Sequence, residues 1–220
     1  MGKLIIDLID IKEDVNLEKA QSVLDIFMKE MAKFSAGLKV LNAKIDILND
    51  EFQRTYQYNP IEHIKSRIKT PKSAIAKLIR RNLSIESLDS YYSLTDIAGM
   101  RIVCSFIDDI YLLADIIKKQ SDLEILEIKD YIKNPKKSGY RSLHLILNVP
   151  VYFTNQISKV KIELQIRTVA MDFWASLEHK LHYKNENANY EELLNELRIC
   201  SEHVNQMDIE MAVLNRKINK

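Results

Sequence analysis

Apolar residues recur at helical spacing along the N-terminal quarter of the chain. From Leu17 to about Gln53 they share one face, which predicts an amphipathic helical region. The face comprises Ala20, Val23, Leu24, Phe27, Met28, Met31, Leu38, Leu41, Ile45 and Leu48. Gly37 lies inside this region and predicts a break into two helices.

Two kinds of local pattern divide the middle of the chain. Thr70 followed by Pro71 is typical of a helix N-terminus, and the apolar residues Leu78 and Ile79 continue that helix. Further along, short apolar runs predict strands, and helical spacing after the first of them predicts a helix from Asp108 to Lys119. The predicted strands are Gly99–Phe106, Leu123–Tyr131, Leu143–Phe153 and Val160–Arg167.

The last predicted strand has two different faces. Apolar and polar residues alternate strictly along it, so one face is covered and the other is polar. The polar face carries Glu163, Gln165 and Arg167. This pattern predicts a strand whose polar face borders a functional site.

The C-terminal part is predicted to be helical. One helix extends from Thr168 to about Tyr183 and contains Trp174, the only tryptophan. Another extends from about Tyr190 to Ile218 with apolar residues in three-four alternation, which is typical of a helix that packs along a seam. The seam comprises Tyr190, Leu193, Leu197, Cys200, Val204, Met207, Met211, Leu214 and Ile218.

These elements predict the α/β (α+β) class, with a sheet at the centre and long N- and C-terminal helices. We expect an N-terminal helical arm over residues 1–59, a core over 60–185, and a C-terminal helix over 186–220. The length of 220 residues fits one domain with helical extensions.

Charge and cysteine content restrict the function classes. The formal net charge is +1, whereas a general nucleic-acid binder carries a clear basic excess, so none is expected. Cys104 and Cys200 lie in apolar contexts and are expected to be reduced core residues. No apolar run resembles a membrane span or a leader, so we expect a soluble, cytoplasmic protein.

Basic residues cluster around the second predicted helix. Arg67 and Lys69 precede it, where backbone N–H groups also favour anions. The helix itself carries Lys77, Arg80 and Arg81 on one face. The cluster is suited to a polyphosphate, although a solvated charged face has the same composition.

Two carboxylates are candidates for a metal site. Asp96 lies where the chain enters the first of the predicted strands, and Mg²⁺ needs only one or two carboxylates beside water and phosphate. An ordinary turn residue before a strand is the alternative. Glu163 lies within a strand, where an acid is costly unless it faces water or a ligand. Neighbouring strands would bring the two carboxylates together.

A basic loop connects the second and third predicted strands. Residues 134–139 read Asn-Pro-Lys-Lys-Ser-Gly, which is a loop composition. Its lysines are suited to phosphates, and the tyrosine after the glycine is suited to stacking on a base. The candidates in and around this loop are Lys129, Lys136, Tyr140, Arg141 and His144.

The helix after the last strand carries two further residues of interest. Trp174 lies at helical spacing from Met171 and Glu178 and is expected in the core, not as a nucleotide platform. His179 is expected to be a capped or packed residue and not a catalytic base.

The order of these clusters is more specific than any one of them. The motifs are Arg-x-Lys with the basic helix, Asp-x-x-Gly-x-Arg, Lys-Asp-Tyr followed by Ser-Gly-Tyr-Arg-Ser-Leu-His, Glu-x-Gln-x-Arg-Thr, and Trp-Ala-x-x-Glu-His. From about Pro60 to Tyr183 this order resembles the synthetase domain of the RelA/SpoT alarmone enzymes. With no other domain in the sequence, the chain resembles a small alarmone synthetase.

The resemblance implies a nucleotidyltransferase-like fold with a mixed sheet, and an activity. Such enzymes transfer the β,γ-diphosphate of ATP to the 3′-hydroxyl of GDP or GTP and release AMP. Asp96 and Glu163 would bind Mg²⁺, and Glu163 would receive the hydroxyl proton. The residues implied for ATP are Arg67 and Arg101 at the adenine, and Lys69, Lys77 and Arg80 at the phosphates.

The resemblance also implies an acceptor site and an assembly. Tyr140 would stack on guanine, with Arg141 beside it. The acceptor phosphates would be contacted by Lys129, Lys136 and His144. Gln165 and Arg167 would organise the polar strand face. Small alarmone synthetases are typically homotetramers built through their terminal helices, so the C-terminal helix is expected to mediate self-association.

Two family properties are not expected here. Bifunctional members hydrolyse alarmones with a metal-bound His-Asp pair, and no His-Asp dipeptide occurs in this chain. Some small synthetases bind alarmone in a cleft between subunits through an aromatic residue, a threonine and an asparagine. This chain has His63, Lys65 and Asp172 at the matching positions, so activation by that route is not expected.

Two other functions remain open at this level. A relative that pyrophosphorylates the 3′ end of tRNA would keep the ATP chemistry but want a basic surface for the backbone. A non-catalytic nucleotide-sensing module would have lost a metal carboxylate or the stacking aromatic, and Asp96, Glu163 and Tyr140 are all present.

Overall fold

Five strands form one mixed sheet in the computed structural model, which describes residues 17–56, 58–85, 87–184 and 190–218. Their order across the sheet is β1-β2-β5-β4-β3, with β2 parallel to β5 and the other neighbours antiparallel. The strands are β1 (Ile61–Ile68), β2 (Ala98–Cys104), β3 (Glu124–Asp130), β4 (Leu143–Tyr152) and β5 (Ile157–Thr168). The fold class is confirmed, and the predicted strands occur with slightly shifted ends.

The edge strand β1 does not follow from the sequence pattern. Its apolar residues Ile61, Ile64 and Ile68 have a three-four spacing, which is typical of a helix and hides the alternation of a strand. A register shift against β2 near Ile61 accounts for the irregularity. The strand matters for the site because it places Arg67 opposite Gly99 of β2.

One long helix, α1 (Leu17–Thr55), packs across the apolar face of the sheet. The predicted break at Gly37 is wrong, because the helix continues through it. A Cβ at Gly37 would lie 2.7 Å from Val160 Cγ1, so glycine allows the helix backbone to approach β5. Met28 is exposed, contrary to its predicted place on the apolar face. The predicted contacts of the side chains of Ala20, Val23 and Leu24 lie outside the described residues, as do residues 1–16 of the expected arm.

The shorter helices are α2 (Pro71–Arg80), α3 (Leu88–Ser93), α4 (Ile107–Lys118) and α5 (Val169–Lys184). Of these, only α3 lacks a counterpart among the predicted helices. Thr70 Oγ1 accepts a hydrogen bond from the Ser73 N–H, as its predicted N-cap position requires. Thr168 does the same for the Met171 N–H at the start of α5.

The last helix, α6 (Tyr190–Ile218), has the predicted bounds but a different buried face. Along the predicted seam, Leu197 is buried, whereas Met207, Met211, Leu214 and Ile218 are exposed. The residues of α6 that are buried against the rest of the chain are Leu197, Ser201, Asp208 and Ala212. Cys200 is exposed, so its prediction as a core residue is wrong, whereas Cys104 is buried. The Tyr190 side chain lies outside the described residues.

Two polar contacts fix α6 against the core. The Thr168 hydroxyl donates to Asp208 Oδ2 at 2.6 Å. The Arg216 guanidinium donates to both carboxylate oxygens of Asp108 at 2.7 Å, tying the end of α6 to the start of α4. In the part of the chain that is described, no helix is long and apolar enough to cross a bilayer. The division into residues 1–59, 60–185 and 186–220 stays a prediction.

Candidate active site

The polar face of the sheet brings residues from separate motifs together. The parallel pairing of β2 with β5 places Gly99 opposite Glu163 and, two residues on, Arg101 opposite Gln165. The antiparallel pairing of β4 with β5 places His144 on the other side of Gln165. The predicted alternation of β5 is therefore correct, and its polar face lies at the centre of the sheet.

Two cavities open on this face and meet at shared residues. The strand cavity, of about 340 Å³, lies over β1 and β2 and is lined by Lys65, Ser66, Gly99, Met100 and Arg101. The loop cavity, of about 370 Å³, lies beside the β3–β4 loop (residues 131–142) and includes Lys77, Lys129, Lys136, Tyr140 and His144 in its lining. Both volumes fall within the range of small-molecule sites. The lining of both cavities includes Arg67, Asp96, Glu163 and Gln165.

Asp96 is held by two lysines at the junction of the cavities. Lys69 Nζ lies 2.5 Å and Lys77 Nζ 2.7 Å from Asp96 Oδ2. Burial by itself raises the pKa of Asp96, but the hydrogen bonds from the two lysines outweigh it and hold the pKa below its ordinary value. Two ammonium groups on one carboxylate leave a local positive charge, which favours a polyphosphate.

Glu163 ends a chain of side-chain hydrogen bonds. Arg167 Nη2 donates to the Tyr140 hydroxyl at 2.6 Å, and that oxygen lies 2.9 Å from His144 Nε2. A neutral imidazole whose Nδ1–H faces the Glu163 carboxylate has Nε2 as its acceptor, so the Tyr140 hydroxyl donates to His144 Nε2. His144 Nδ1 then carries a proton and donates to Glu163 Oε1 at 3.2 Å. Gln165 Nε2 donates to Glu163 Oε2 at 2.8 Å.

The pKa shifts along this chain agree with those roles. Burial lowers the pKa of His144 despite the neighbouring Glu163, so the imidazole stays neutral at pH 7. Burial raises the pKa of Glu163, but hydrogen bonds from His144 and Gln165 outweigh it, and the net pKa is below the ordinary value. Glu163 is therefore an ionised carboxylate at the meeting point of the two cavities.

An aromatic cluster forms one side of the loop cavity. The Tyr131 and Tyr140 rings lie 6.0 Å apart between centroids, and Lys136 Nζ lies 4.8 Å from each of them. Arg167 Cζ lies 5.0 Å from the Tyr140 ring. Both cations are within the range of cation–π attraction. Of the two, Lys136 is exposed and Arg167 is buried, so Lys136 is the cation that can leave the ring for a ligand.

Asp172 links the strand cavity to the aromatic cluster. Its Oδ1 accepts from Arg101 Nη1 at 3.0 Å and from Arg167 Nη1 at 3.1 Å. His63 Nε2 lies 4.0 Å from the other carboxylate oxygen. The single acid therefore holds two guanidinium groups that would otherwise repel each other. The sequence pattern marks Asp172 only as a departure from the family and does not reveal this role.

Two of the predicted ligands do not line either cavity. Arg80 is exposed and is not among the residues that line the two cavities, whereas its neighbour Arg81 lines the loop cavity. Arg141 is turned from the loop cavity toward α6, where it lies beside Trp174 and Ser201. Its Nη1 donates to the Ile132 carbonyl at 2.7 Å, which makes it a brace of the loop.

The remaining predicted residues line or adjoin the cavities, and the nucleotide that each contacts stays a prediction. Arg81, Tyr131 and Glu178 are among the lining residues outside the predicted set of ligands, although their motifs contain them. Trp174 is buried, and its indole N–H donates to the Leu197 carbonyl at 3.1 Å, so the core prediction is confirmed. His179 is exposed and therefore not packed in the core, which leaves the capped alternative of the prediction.

The two carboxylates fit a magnesium ion. Asp96 Oδ1 is buried and has no hydrogen-bond partner among the described residues. Hard carboxylate oxygens are the ligands that Mg²⁺ prefers, and one or two of them suffice when phosphates supply the rest. In the described ranges, no group of three or more histidine, cysteine or acidic residues forms a larger metal site. Asp96 and Glu163 are the side chains that would hold the ion.

Two cavities that are lined by basic residues and meet at two carboxylates are suited to phosphoryl-type transfer between two substrates. Comparisons with known proteins identify the protein family to which this chain belongs. The chain belongs to the family described as the region found in RelA/SpoT proteins, whose model matches residues 66–188. The family predicted from the motif order is confirmed.

Named relatives are similar over most of their length. The chain is 41% identical over 204 residues to the GTP pyrophosphokinase YwaC of Bacillus subtilis (strain 168), covering 93% of this chain and 97% of that protein. Small alarmone synthetase 2 from Bacillus subtilis matches with a TM-score of 0.78 and 43% identity, over 86% of this chain and 98% of that one. Small alarmone synthetase 1 from Bacillus subtilis, bound to its product pppGpp, matches with a TM-score of 0.81 and 30% identity, over 88% and 98%.

Proposed function

We propose that this chain is a GTP pyrophosphokinase that makes (p)ppGpp. It transfers the β,γ-diphosphate of ATP to the 3′-hydroxyl of GDP or GTP and releases AMP. The observation that carries the proposal is the junction of the strand cavity and the loop cavity at Asp96 and Glu163. The activity printed in the name of the 41% identical relative supports it.

The strand cavity is the ATP side. Arg67 and Arg101 line it from neighbouring strands, and guanidinium groups are suited to stacking on an adenine. Lys69 and Lys77 lie at the junction, where the β- and γ-phosphates would draw them away from Asp96. Charge neutralisation by such cations is the main protein contribution to this kind of transfer.

The loop cavity is the guanine-nucleotide side. Its aromatic cluster provides Tyr140 for stacking on the base, in exchange for Lys136. Lys129 and Lys136 line the same cavity and are suited to the acceptor's phosphates. His144 is neutral and hydrogen-bonded on both ring nitrogens, so in this structure it positions Tyr140 and Glu163 and does not act as a cation.

Glu163 receives the proton of the acceptor hydroxyl. The 3′-oxygen attacks the β-phosphorus, the bond from that phosphorus to the α–β bridging oxygen breaks, and the electron pair leaves with AMP. The hydroxyl proton passes to the Glu163 carboxylate, which the Nδ1–H of His144 and the amide of Gln165 hold in place. A bound Mg²⁺, held by Asp96 and Glu163, would offset negative charge on the phosphates.

The decisive assay follows radiolabelled ATP by thin-layer chromatography with GDP, GTP, GMP and tRNA as separate acceptors. We expect products with GDP and GTP that carry the γ-label and require Mg²⁺. Label transfer to tRNA alone would replace the proposal with a tRNA pyrophosphokinase. No transfer to any acceptor, with nucleotide binding intact, would identify a nucleotide-sensing module.

Self-association is part of the proposal, with a homotetramer as the expected state. The outer face of α6 exposes Met207, Met211, Leu214 and Ile218. Helix α5 exposes a second stripe at four-residue spacing: Val169, Phe173, Leu177 and Leu181. Contiguous exposed apolar faces mark contact surfaces, and a second copy of the chain is the partner we propose.

Light scattering tests the assembly. The variant Met211→Glu with Leu214→Glu places two charges on the outer face, where neither side chain is buried in the chain's own core. We expect wild type to be larger than a monomer at micromolar concentration, and the variant to be smaller yet folded. Val204 is unsuitable as a test position because it packs against the Trp174 cluster.

A cytoplasmic location belongs to the same proposal, in keeping with two free cysteines.

A further inference from the structure

The tip of the β3–β4 loop has a closed backbone conformation. The Gly139 N–H donates to the Lys136 carbonyl at 2.8 Å, and the Lys136 N–H donates to the Tyr140 carbonyl at 3.2 Å. Gly139 has a φ of 91°, in the region that glycine adopts far more readily than other residues. The loop thus presents Lys136 and Tyr140 to the loop cavity from a short, tightly bonded segment.

Helix α6 contacts this loop tip at Gly139. The Ser201 hydroxyl donates to the Gly139 carbonyl at 2.5 Å, and Ser201 is 4% exposed. A Cβ at position 139 would lie 2.6 Å from Ser201 Cβ and 3.2 Å from Arg198 Cα. Glycine is therefore needed here for close approach to the helix as well as for its backbone angle.

The next residue, Tyr140, is held from two sides. Its ring packs against the buried cluster formed by Trp174 and Ala175 of α5 and Leu197 of α6. Its hydroxyl is held from the sheet by Arg167. The sheet fixes one end of the tyrosine, and α6 fixes the backbone that carries it.

We propose that Ser201 is a positioning residue for the guanine-nucleotide side of the site, acting through Gly139 on Tyr140. The inference rests on the proposed function and adds an element to it, because α6 lies outside the matched region of residues 66–188. Without the hydroxyl, the buried Gly139 carbonyl loses its donor, and a buried unpaired carbonyl favours a loop that moves toward water. The ATP side is joined to Tyr140 through Arg167, which also bonds the Asp172 carboxylate that holds Arg101, whereas its other residues lie on β1, β2 and α2 or next to them.

The test is the variant Ser201→Ala, with the KM of each nucleotide measured separately. We expect the KM for GDP to rise about tenfold, in line with the cost of an unpaired buried carbonyl. The KM for ATP and the kcat at saturating GDP should change less than about threefold. Ala212→Gly is the matched control, because it weakens the same helix at a buried position remote from the loop.

A direct binding measurement accompanies the kinetics. Trp174 is the only tryptophan and packs beside Tyr140, so energy transfer from it to a fluorescent GDP derivative reports occupancy of the loop cavity. We expect the Kd of this probe to rise about tenfold in Ser201→Ala and to stay near wild type in Ala212→Gly. Ser201→Cys, which keeps the size and a weak donor, should fall between wild type and the alanine variant.

Two results would overturn the inference while leaving the proposed function standing. One is an unchanged KM for GDP in a Ser201→Ala enzyme that still makes (p)ppGpp. The other is an equal rise of both KM values, matched by Ala212→Gly, which would make Ser201 a purely structural residue. A wild-type protein that neither binds the GDP probe nor makes (p)ppGpp would overturn the proposed function and this inference together.

Discussion

The two halves of the site use similar charges but are built differently. The strand cavity is formed by β1, β2 and β5, so its arginines are placed by the register of paired strands. The loop cavity depends on residues 131–142, whose tip is held by a helix from the far end of the chain. The ATP side is thus fixed by the sheet, and the guanine side by a contact between distant segments.

The partners of the lysines differ in the same way. Lys69 and Lys77 rest on the carboxylate of Asp96, whereas Lys136 rests on the rings of Tyr131 and Tyr140. Removing a charge breaks the ion pairs of Lys69 and Lys77, whereas removing an aromatic ring breaks the cation–π contacts of Lys136. We therefore expect variants that remove a charge to weaken mainly ATP binding, and variants that remove a ring to weaken mainly guanine-nucleotide binding.

The largest effect is expected where the two halves meet. Glu163→Gln keeps the shape of the side chain but removes the proton acceptor and the charge, so kcat should fall at least a hundredfold. Circular dichroism and nucleotide binding should stay close to wild type. A variant that keeps more than a tenth of wild-type turnover would remove Glu163 from the mechanism.

A loss confined to the guanine side is expected next. Tyr140→Ala should weaken GDP binding about ten- to a hundredfold, because stacking on an aromatic is worth roughly 1–3 kcal/mol per base. ATP binding should be nearly unchanged. Tyr140→Phe separates the ring from the hydroxyl, since it keeps the stacking face but loses the bonds to Arg167 and His144. If the phenylalanine variant binds GDP as weakly as the alanine variant, stacking is not the cause.

A loss that falls mainly on ATP binding follows from charge at Lys77, which bonds Asp96 at the junction and also lines the loop cavity. Lys77→Met should raise the KM for ATP at least about tenfold, because a charge-assisted contact to phosphate is worth about 1.5–3 kcal/mol. The KM for GDP should stay within about twofold. Arg80→Met is the matched control on the same helix, since Arg80 is exposed and outside the cavity lining. An equal rise of the KM for ATP in the two variants would mean that Arg80 also contacts the ATP phosphates.

The smallest expected effect is on the stability of α6. Burial raises the pKa of Asp208 despite its bond from Thr168, so the folded state binds a proton more tightly than the unfolded state does. Asp208 therefore favours the folded state at low pH, where it is protonated. This contribution to the free energy of unfolding is lost as the pH rises through the raised pKa. Asp208→Asn should therefore raise Tm at pH 7 by about 2–4 °C, the shift that ~1 kcal/mol produces at this chain length.

The gain from Asp208→Asn should disappear below about pH 4, where the unfolded state also binds the proton. Glu210→Gln on the exposed side of the same helix is the control and should leave Tm unchanged at both pH values. An equal gain in the control would mean that net charge, and not the burial of Asp208, sets the stability.

Much of the site can be predicted from the sequence because its motifs are local. The alternation along β5 predicts which face carries Glu163, and Thr70 before Pro71 predicts the start of α2. The order of the motifs identifies the family. These features survive in the sequence because each depends on residues a few positions apart, which a strand or a helix places on one side.

The tertiary structure alone decides what each face meets. Apolar spacing cannot predict the buried face of α6, because two of its buried residues, Ser201 and Asp208, are polar and gain partners only from the β3–β4 loop and the end of β5. Nor can it predict that Arg141 turns toward α6, or that Arg81 and not Arg80 reaches the cavity. Periodicity states which residues share a side, whereas their partners come from segments far apart in the chain, which only the packing of the whole molecule brings together.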